Sequence, residues 1–337
     1  MRLLGAAALL FTISGVFCHA LSQEPVERKA PADSVWRQHF DAAMPLSAAG
    51  DYQAAKAQLE TAWRLLKDIK PQDLRHVTVL NNLGSTRERL GAYNDAERCY
   101  REALKIRAAL PEKERENSAW LLNNYAGLLV KKGNYKRAEA LYHESLETLI
   151  RTVGPIHADV AGIYNNLSEL EFLHGNKKEA AKLLEQAKSV TEQAIGPDHV
   201  SVAVILNNQS VLYEAEEEFD LAEAALQRAL EIWRQASGPD HPATIRIVNN
   251  LALLRFHQRR FEESDELLAG AIRTAEQKLG QNHPDLGLLW GNRAVVLRKL
   301  KQKSQAQAAE TRATDILGRD VSRTFRRHTV DVRDLGR

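Results

Sequence analysis

Residues 78–110 read TVLNNLGSTRERLGAYNDAERCYREALKIRAAL, and this stretch decides the fold. Apolar side chains recur from Leu80 onward at the three- and four-residue intervals of an α-helix. Gly91 interrupts that spacing, and glycine favours a turn over a helix interior. The stretch therefore predicts a helical hairpin, with one helix over about residues 75–89, a turn at Gly91 and a second helix over about 93–109.

The hairpin recurs with a fixed period of 42 residues. The dipeptide Asn-Asn marks five copies: Asn81-Asn82, Asn123-Asn124, Asn165-Asn166, Asn207-Asn208 and Asn249-Asn250. A histidine three residues after a glycine keeps the same interval: His157, His199, His241 and His283. A fixed period of this length indicates stacked supersecondary units that pack on their neighbours, rather than one closed core.

The linkers between copies combine three residue types with distinct roles. Gly196 and Gly238 are expected to end the preceding helix in the left-handed cap that glycine adopts cheaply. Pro242 and Pro284 are expected to open the next helix, where a missing N–H costs nothing. We expect each linker histidine to hydrogen-bond a helix end. They should not share a metal, because neighbouring helices lie about 8–10 Å apart and zinc ligands must lie about 2 Å from the ion.

The next copy, residues 121–149, reads LLNNYAGLLVKKGNYKRAEALYHESLETL. Together with the first copy it resembles the tetratricopeptide repeat, and the 42-residue period with its Gly-x-x-His-Pro linker resembles the kinesin light chain type. The resemblance implies an all-α, right-handed superhelical solenoid of about seven helix-turn-helix repeats over residues 35–318. The predicted repeats are about 35–70, 75–110, 118–152, 160–194, 202–236, 244–278 and 286–318.

The two ends differ from the repeats. Residues 1–20 have one cation, an apolar run and small residues before a cut after Ala20, which predicts a cleaved signal peptide and a secreted or periplasmic protein. A lipid anchor through Cys18 fits less well, because bulky Phe17 precedes it. Residues 21–34 are expected to form a flexible leader. Residues 319–337 are expected to form a loosely ordered basic tail, with a short extended piece near Thr329 to Val332.

Composition and motifs restrict the classes of function that fit this sequence. A net charge of +2 and an aromatic content of 6% do not favour a nucleic-acid binder. The sequence has neither a nucleophile elbow nor a phosphate-binding glycine loop nor a Cys-x-x-Cys pair. We therefore expect no enzyme, no cofactor, no metal, no stable membrane insertion and a monomeric chain. With Cys18 removed, Cys99 is the one cysteine left, and we expect it to be a small packed residue.

The family resemblance implies that the first helices line a concave groove, and that the first asparagine of each pair projects into it. A row of amides could grip the backbone of an extended peptide. The predicted peptide-binding residues are Asn81, Asn123, Asn165, Asn207, Asn249, Trp120, Phe172, Arg246 and Phe256. Two alternatives stay open: all the asparagines could be scaffold groups, and Phe172 and Phe256 could pack between repeats. The second asparagines are expected to join neighbouring helices.

These features predict a non-catalytic scaffold that binds a peptide or protein partner in the concave groove. One alternative is an envelope or secretion assembly factor that docks through its convex face or its basic tail. Another is a carbohydrate binder that uses Trp120 and Trp290. The sequence does not identify the partner.

Overall fold

The computed structural model describes residues 31–48, 50–278, 280–281 and 283–328, and these residues contain fifteen helices and no strand. The helices are α1 (Pro31–Ala48), α2 (Tyr52–Leu66), α3 (Leu74–Arg89), α4 (Tyr93–Ala109), α5 (Glu112–Glu116), α6 (Ala119–Lys131), α7 (Tyr135–Val153), α8 (Ala158–Leu173), α9 (Lys177–Ile195), α10 (Val200–Ala215), α11 (Phe219–Ser237), α12 (Pro242–His257), α13 (Phe261–Lys278), α14 (Pro284–Lys299) and α15 (Lys303–His328).

Consecutive helices pack as hairpins, which confirms the predicted all-α repeat architecture. The pairs are α1/α2, α3/α4, α6/α7, α8/α9, α10/α11, α12/α13 and α14/α15. The single-turn helix α5 lies between the second and third pairs, where the chain lacks the glycine-histidine linker. Over the described residues the chain divides into two compact units, which we call the N-terminal unit (31–190) and the C-terminal unit (191–328).

Small residues let the helices of a pair approach closely. In the N-terminal unit Ala96 and Ala103 are fully buried beside the buried ring of Tyr100. A Cβ atom added to Gly84 would lie 2.9 Å from Cε1 of Tyr100, so only glycine fits at this position. Cys99 is 3% exposed in the same cluster, as predicted for a packed residue, and burial raises the pKa of its thiol.

The C-terminal unit repeats this packing with different residues. Ala222, Leu226 and Ala229 of α11 are fully buried. Ile245 and Phe256 of α12 pack in one cluster with residues of α13 and α14. Within each unit, the helices of a hairpin therefore bury apolar side chains against each other and against the next hairpin, as stacked repeats require.

The turns inside the hairpins keep one backbone conformation although their residues differ. Gly91, Gly133 and Gly175 have φ of 75°, 75° and 82°. At the same 42-residue register, Glu217 and Arg259 have φ of 62° and 63°. Lys301 is a further example, with φ of 61°. The last three turns therefore hold bulky residues in the left-handed region that glycine occupies without strain.

The linker histidines cap the helices that follow them. Nδ1 of His157, His199, His241 and His283 accepts a hydrogen bond, 3.2 Å long in each case, from the backbone N–H two residues later. This confirms the predicted role at the helix end. It satisfies one of the N–H groups that a helix start leaves without a partner.

The glycines of the linkers need a small correction. Gly196 and Gly238 have the expected positive φ, of 95° and 83°. The ψ of Gly238 is 169°, however, which lies outside the left-handed helical region, and the linker glycine Gly154 has a similar ψ of 168°. They occupy the extended region at positive φ, which is open essentially to glycine alone. The prediction that Pro242 and Pro284 open the next helix is confirmed.

The ends differ from the expected leader and tail. Helix α1 begins at Pro31, so residues 31–34 belong to a helix rather than to the leader. Helical backbone also continues beyond Gly318, a non-helical residue with φ of 74°, as far as His328. The predicted signal peptide (residues 1–20), residues 21–30 of the predicted leader and the predicted extended piece at 329–332 lie outside the described residues. Within the described part, no helix is both long and apolar enough to cross a bilayer.

Candidate functional site

The paired asparagines form hydrogen-bonded rows along the first helices of neighbouring hairpins. In the N-terminal unit, Nδ2 of Asn124 donates to Oδ1 of Asn81 at 3.0 Å, and Nδ2 of Asn166 donates to Oδ1 of Asn123 at 2.8 Å. Asn123 donates in turn to its neighbour Asn124 at 3.5 Å. The amides therefore run as one connected row through α3, α6 and α8.

The C-terminal unit contains the same row. Nδ2 of Asn250 donates to Oδ1 of Asn207 at 2.8 Å, and Nδ2 of Asn292 donates to Oδ1 of Asn249 at 2.8 Å. Asn249 donates to Oδ1 of Asn250 at 3.3 Å. The second asparagines thus join neighbouring first helices, as predicted.

The first asparagines do not line an open wall, and this corrects the expected peptide-gripping row. Asn81 is 3% exposed, and Asn165, Asn207 and Asn249 are 0% exposed. Asn123 is half-buried. In the bonds described above, the amide oxygen that a peptide would need already accepts from the next hairpin. The scaffold interpretation therefore fits these residues, because buried amides are stable only when hydrogen-bonded.

Contacts between neighbouring first helices follow an offset of 43 residues. The four asparagine bonds between hairpins have this separation. The same offset joins Nζ of Lys131 to Oε1 of Glu88 at 2.6 Å, and Nδ1 of His257 to Oε2 of Glu214 at 2.7 Å. Each of these contacts therefore joins positions that differ by one residue in the repeat, whereas equivalent positions, 42 residues apart, lie on the same face of successive hairpins.

The N-terminal unit has a partly open surface along its first helices. Trp120 and Asn123 of α6 and Glu169 and Phe172 of α8 are half-buried, as is Ser85 of α3. Residues spaced by three, four and seven share one face of a helix, and the 42-residue register aligns the three helices. We call these five residues the open face. It includes Trp120 and Phe172 from the predicted site.

Glu169 differs electrostatically from the other residues of the open face. Burial raises the pKa of its carboxyl group to about 7, although the charge of Lys131 acts to lower it. Burial also raises the pKa of Tyr142 of α7 well above its usual value, and the nearby charges of Glu169 and Glu88 add to that shift. The two groups lie close enough to act on each other across α7 and α8.

The predicted residues of the C-terminal unit are engaged in packing and ion pairing. The ring centroid of Phe256 lies 5.4 Å from that of Phe261 and 5.8 Å from that of His257, and Phe256 is 7% exposed. Nε of Arg246 lies 3.4 Å from Oδ2 of Asp285 on the next first helix. Phe256 therefore packs against neighbouring side chains instead of lining a groove, and Arg246 helps to join two hairpins.

The open face has no counterpart on α10. Every residue from Ser201 to Leu212 is buried, including Val211, which takes the register of Glu169. Trp290, the second tryptophan of the carbohydrate alternative, lies in the C-terminal unit with the guanidinium of Arg293 5.8 Å from its ring centroid. Its indole is therefore occupied on one side by a side chain of the same helix.

Sequence reasoning missed three residues near Glu169: Glu88, Lys131 and Tyr142. The 43-residue separation that joins Glu88 to Lys131 becomes visible only in the structure, where the asparagine bonds show the same separation. Tyr142 lies in the helical pattern of residues 121–149, and that pattern indicates packing alone. Among the described residues, no group of three or more histidine, cysteine or acidic side chains could hold a metal ion.

Comparison with known proteins identifies the repeats. The tetratricopeptide repeat model matches residues 41–109, 117–193, 159–232, 201–254 and 245–318. No curated protein sequence is similar enough to count as a match.

Similar solved structures are helical repeat proteins. BtubC (BKLC) from P. vanneervenii is 28% identical, with a TM-score of 0.52, and the match covers 63% of this chain and 84% of that one. A putative kinesin light chain with nearly identical repeats from Podosopora anserina is 18% identical, with a TM-score of 0.50 and coverage of 62% and 99%. A Rap protein complexed with competence and sporulation factor is 14% identical, with a TM-score of 0.62 and coverage of 88% and 78%. With matches across most of its length to the family model, the chain belongs to the tetratricopeptide repeat family.

Proposed function

We propose that this protein is a non-catalytic interaction scaffold that binds an extended peptide segment on the open face of its N-terminal unit. One observation carries the proposal: two half-buried aromatic side chains, Trp120 of α6 and Phe172 of α8, share the open face with the half-buried Glu169. Peptide sites combine aromatic anchors with a few polar groups that orient the ligand.

The fixed asparagine rows support this assignment. Their hydrogen bonds hold α3, α6 and α8 side by side, so the open face is set before any partner arrives. A preformed surface loses less conformational entropy on binding than a flexible one. The Rap protein among the similar structures is complexed with competence and sporulation factor, and at 14% identity that likeness concerns the fold.

A peptide display library panned against the full-length mature chain tests the proposal. We expect enriched peptides whose affinity falls roughly 10- to 100-fold in the double variant Trp120→Ala/Phe172→Ala, because truncating aromatic anchors costs about 1–3 kcal/mol or more. The matched control is Ile150→Ala on α7, which truncates an apolar side chain that is 37% exposed. Failure to enrich any peptide, or equal affinity in the double variant, would refute the proposal.

The docking alternative has one observation in its favour. Ile150, Val153 and Ile156 are 37%, 45% and 54% exposed at the end of α7 and in the linker that follows. Exposed aliphatic groups that lie together mark contact surfaces more often than scattered ones do. Binding lost in the control variant Ile150→Ala and kept in Trp120→Ala/Phe172→Ala would favour this second surface.

We also propose that the chain is exported, with its signal peptide cut after Ala20. The support is the sequence of residues 1–20 alone. N-terminal sequencing of the protein purified from its native cell tests this. A mature chain that begins at Leu21 supports export, and a chain that begins at Met1 in the cytoplasm contradicts it.

A further inference from the structure

A group of ionisable side chains from five helices of the N-terminal unit lies beside the open face. Lys131 of α6 donates to Oε1 of Glu88 at 2.6 Å, and the hydroxyl of Tyr100 donates to Oε2 of Glu88 at 3.4 Å. Both oxygens of the Glu88 carboxyl therefore have partners. Glu169 of α8 and Tyr142 of α7 complete the group, and neither takes part in these bonds.

Glu169 and Tyr142 are the members of this group that lack partners. Within the described residues, the Glu169 carboxyl makes no hydrogen bond and no ion pair, and the Tyr142 hydroxyl makes no hydrogen bond. Tyr142 is nevertheless only 1% exposed. Because Glu169 is half-buried rather than fully enclosed, its carboxyl is open to a partner that a ligand supplies.

The charges in the group do not balance. Two carboxyl groups, Glu88 and Glu169, face one ammonium group, that of Lys131, which is already paired with Glu88. The other ionisable groups that act on these residues are the phenols of Tyr100 and Tyr142 and, near Tyr100, Arg89 and Cys99. An ionised Glu169 therefore leaves one negative charge uncompensated in a largely desolvated place, which is costly. In the absence of a ligand a proton neutralises it, and burial accordingly raises the pKa of Glu169 to about 7.

Small residues take the positions equivalent to Glu169 in the two preceding hairpins. At the same register one hairpin earlier the chain has Gly127, and two hairpins earlier it has the small Ser85. Phe172 lies three residues after Glu169 on the same face of α8 and is half-buried. An apolar methylene stem could lie along Phe172 while a charged head contacts the carboxyl, as long cationic side chains commonly arrange themselves.

We propose that Glu169 and the hydroxyl of Tyr142 receive the positively charged side chain, lysine or arginine, of an extended peptide bound on the open face. The inference rests on the proposed function and names the chemistry of one position in the ligand. The cation pairs with the Glu169 carboxylate and donates a hydrogen bond to the Tyr142 oxygen. It takes the place of the proton, so binding of the cation releases a proton to solvent.

The pH dependence of this binding has a defined sign. Only the ionised form of Glu169 pairs with a cation, and with a pKa of about 7 roughly a tenth of the molecules are ionised at pH 6 and nine-tenths at pH 8. Affinity scales with the fraction of competent molecules, so it should rise about tenfold between these two values. In Glu169→Gln this rise should disappear.

The direct test uses a defined probe and the full-length mature protein labelled with ¹³C at the glutamate carboxyl carbon. The Glu169 signal, assigned with Glu169→Gln, is titrated with pH, alone and with millimolar capped tripeptide Ac-Ala-Lys-Ala-NH₂. We expect the lysine peptide to lower the pKa of Glu169 and the isosteric norleucine peptide to leave it unchanged. An identical titration with both peptides would overturn the inference.

Library peptides separate this inference from the proposed function. For an enriched peptide, we expect replacing its lysine or arginine by norleucine to weaken binding about tenfold or more to the native protein and not to Glu169→Gln. The matched control is Glu171→Gln, two residues further along α8, where the carboxylate accepts from Nδ2 of Asn176 at 2.7 Å. Enriched peptides that need Trp120 and Phe172 but no cation would overturn this inference and leave the proposed function standing. An unenriched library would overturn both.

Discussion

Replacing Asn249 by alanine should destabilise the protein through the two amides it leaves behind. Asn249 is 0% exposed, accepts from Nδ2 of Asn292 at 2.8 Å and donates to Oδ1 of Asn250 at 3.3 Å. Asn292 and Asn250 are 3% and 1% exposed, so water cannot readily replace the lost partner. Each unsatisfied buried group costs about 1–3 kcal/mol, so the two groups together give about 2–6 kcal/mol for Asn249→Ala.

The double variant Asn249→Ala/Asn292→Ala separates hydrogen bonding from loss of packing. Removing both partners leaves fewer unsatisfied groups, so the double variant should lose less stability than the two single variants added together, by about 1 kcal/mol or more. Urea unfolding of the full chain, followed by circular dichroism, measures each free energy of unfolding, with unchanged slopes as the check on a common transition. The control is Asn134→Ala, because Asn134 is exposed and its side chain makes no capping bond.

Two outcomes would refute this reasoning. If Asn249→Ala costs no more than Asn134→Ala, the buried row does not contribute to stability. If the two single costs simply add in the double variant, the amides act independently, and the hydrogen bond between hairpins is not the source of the effect.

Three further predictions follow from local geometry and charge. Arg259→Gly should raise the free energy of unfolding by about 1 kcal/mol, because Arg259 has φ of 63° and glycine adopts that conformation without strain. Gly133→Ala, at φ of 75°, should lower the free energy of unfolding for the same reason. Urea unfolding in which Arg259→Gly is not more stable, or Gly133→Ala not less stable, than the native protein would contradict this. His241 should stabilise the fold in its neutral form, because burial and the charge of Arg246 lower its pKa in the folded state. This stability is present at pH values above the pKa of the unfolded state and is lost as the pH falls through the pKa of the folded state. In His241→Ala the free energy of unfolding should therefore change less over that pH range. Glu169→Gln should stabilise the fold by about 2 kcal/mol at pH 8 and not at pH 4. The pKa of the Glu169 carboxyl is raised to about 7, so the native protein loses stability as the pH rises through that value, and the neutral glutamine does not. Equal effects of the substitution at both pH values would refute this.

The architecture could be predicted because it depends on spacing. Gly91 and Gly133 sit in turns at positive φ, and His199 caps α10, as their 42-residue recurrence indicated. In such an array each unit contacts only its neighbours, so a local pattern determines most of the fold. The ends lack that recurrence, and the helices that begin at Pro31 and end at His328 extend beyond the predicted boundaries.

The site was harder to predict because burial depends on how closely the first helices approach. The spacing placed Asn165 and Glu169 on one face of α8, but it could not indicate that Asn165 is 0% exposed while Glu169 is half-buried. That difference follows from the one-residue shift between neighbouring first helices, which pairs each asparagine with the next hairpin. The shift is a tertiary property, and the period alone does not contain it.

Hydrogen exchange of the full-length mature chain, with and without a saturating library-derived peptide, tests the central claim most directly. Segments within α6 and α8, which carry Trp120, Asn123, Glu169 and Phe172, should gain protection, while the segment around Ile150 to Ile156 should exchange as before. Protection confined to residues 150–156 or to the last helix would contradict the claim and assign binding to another surface.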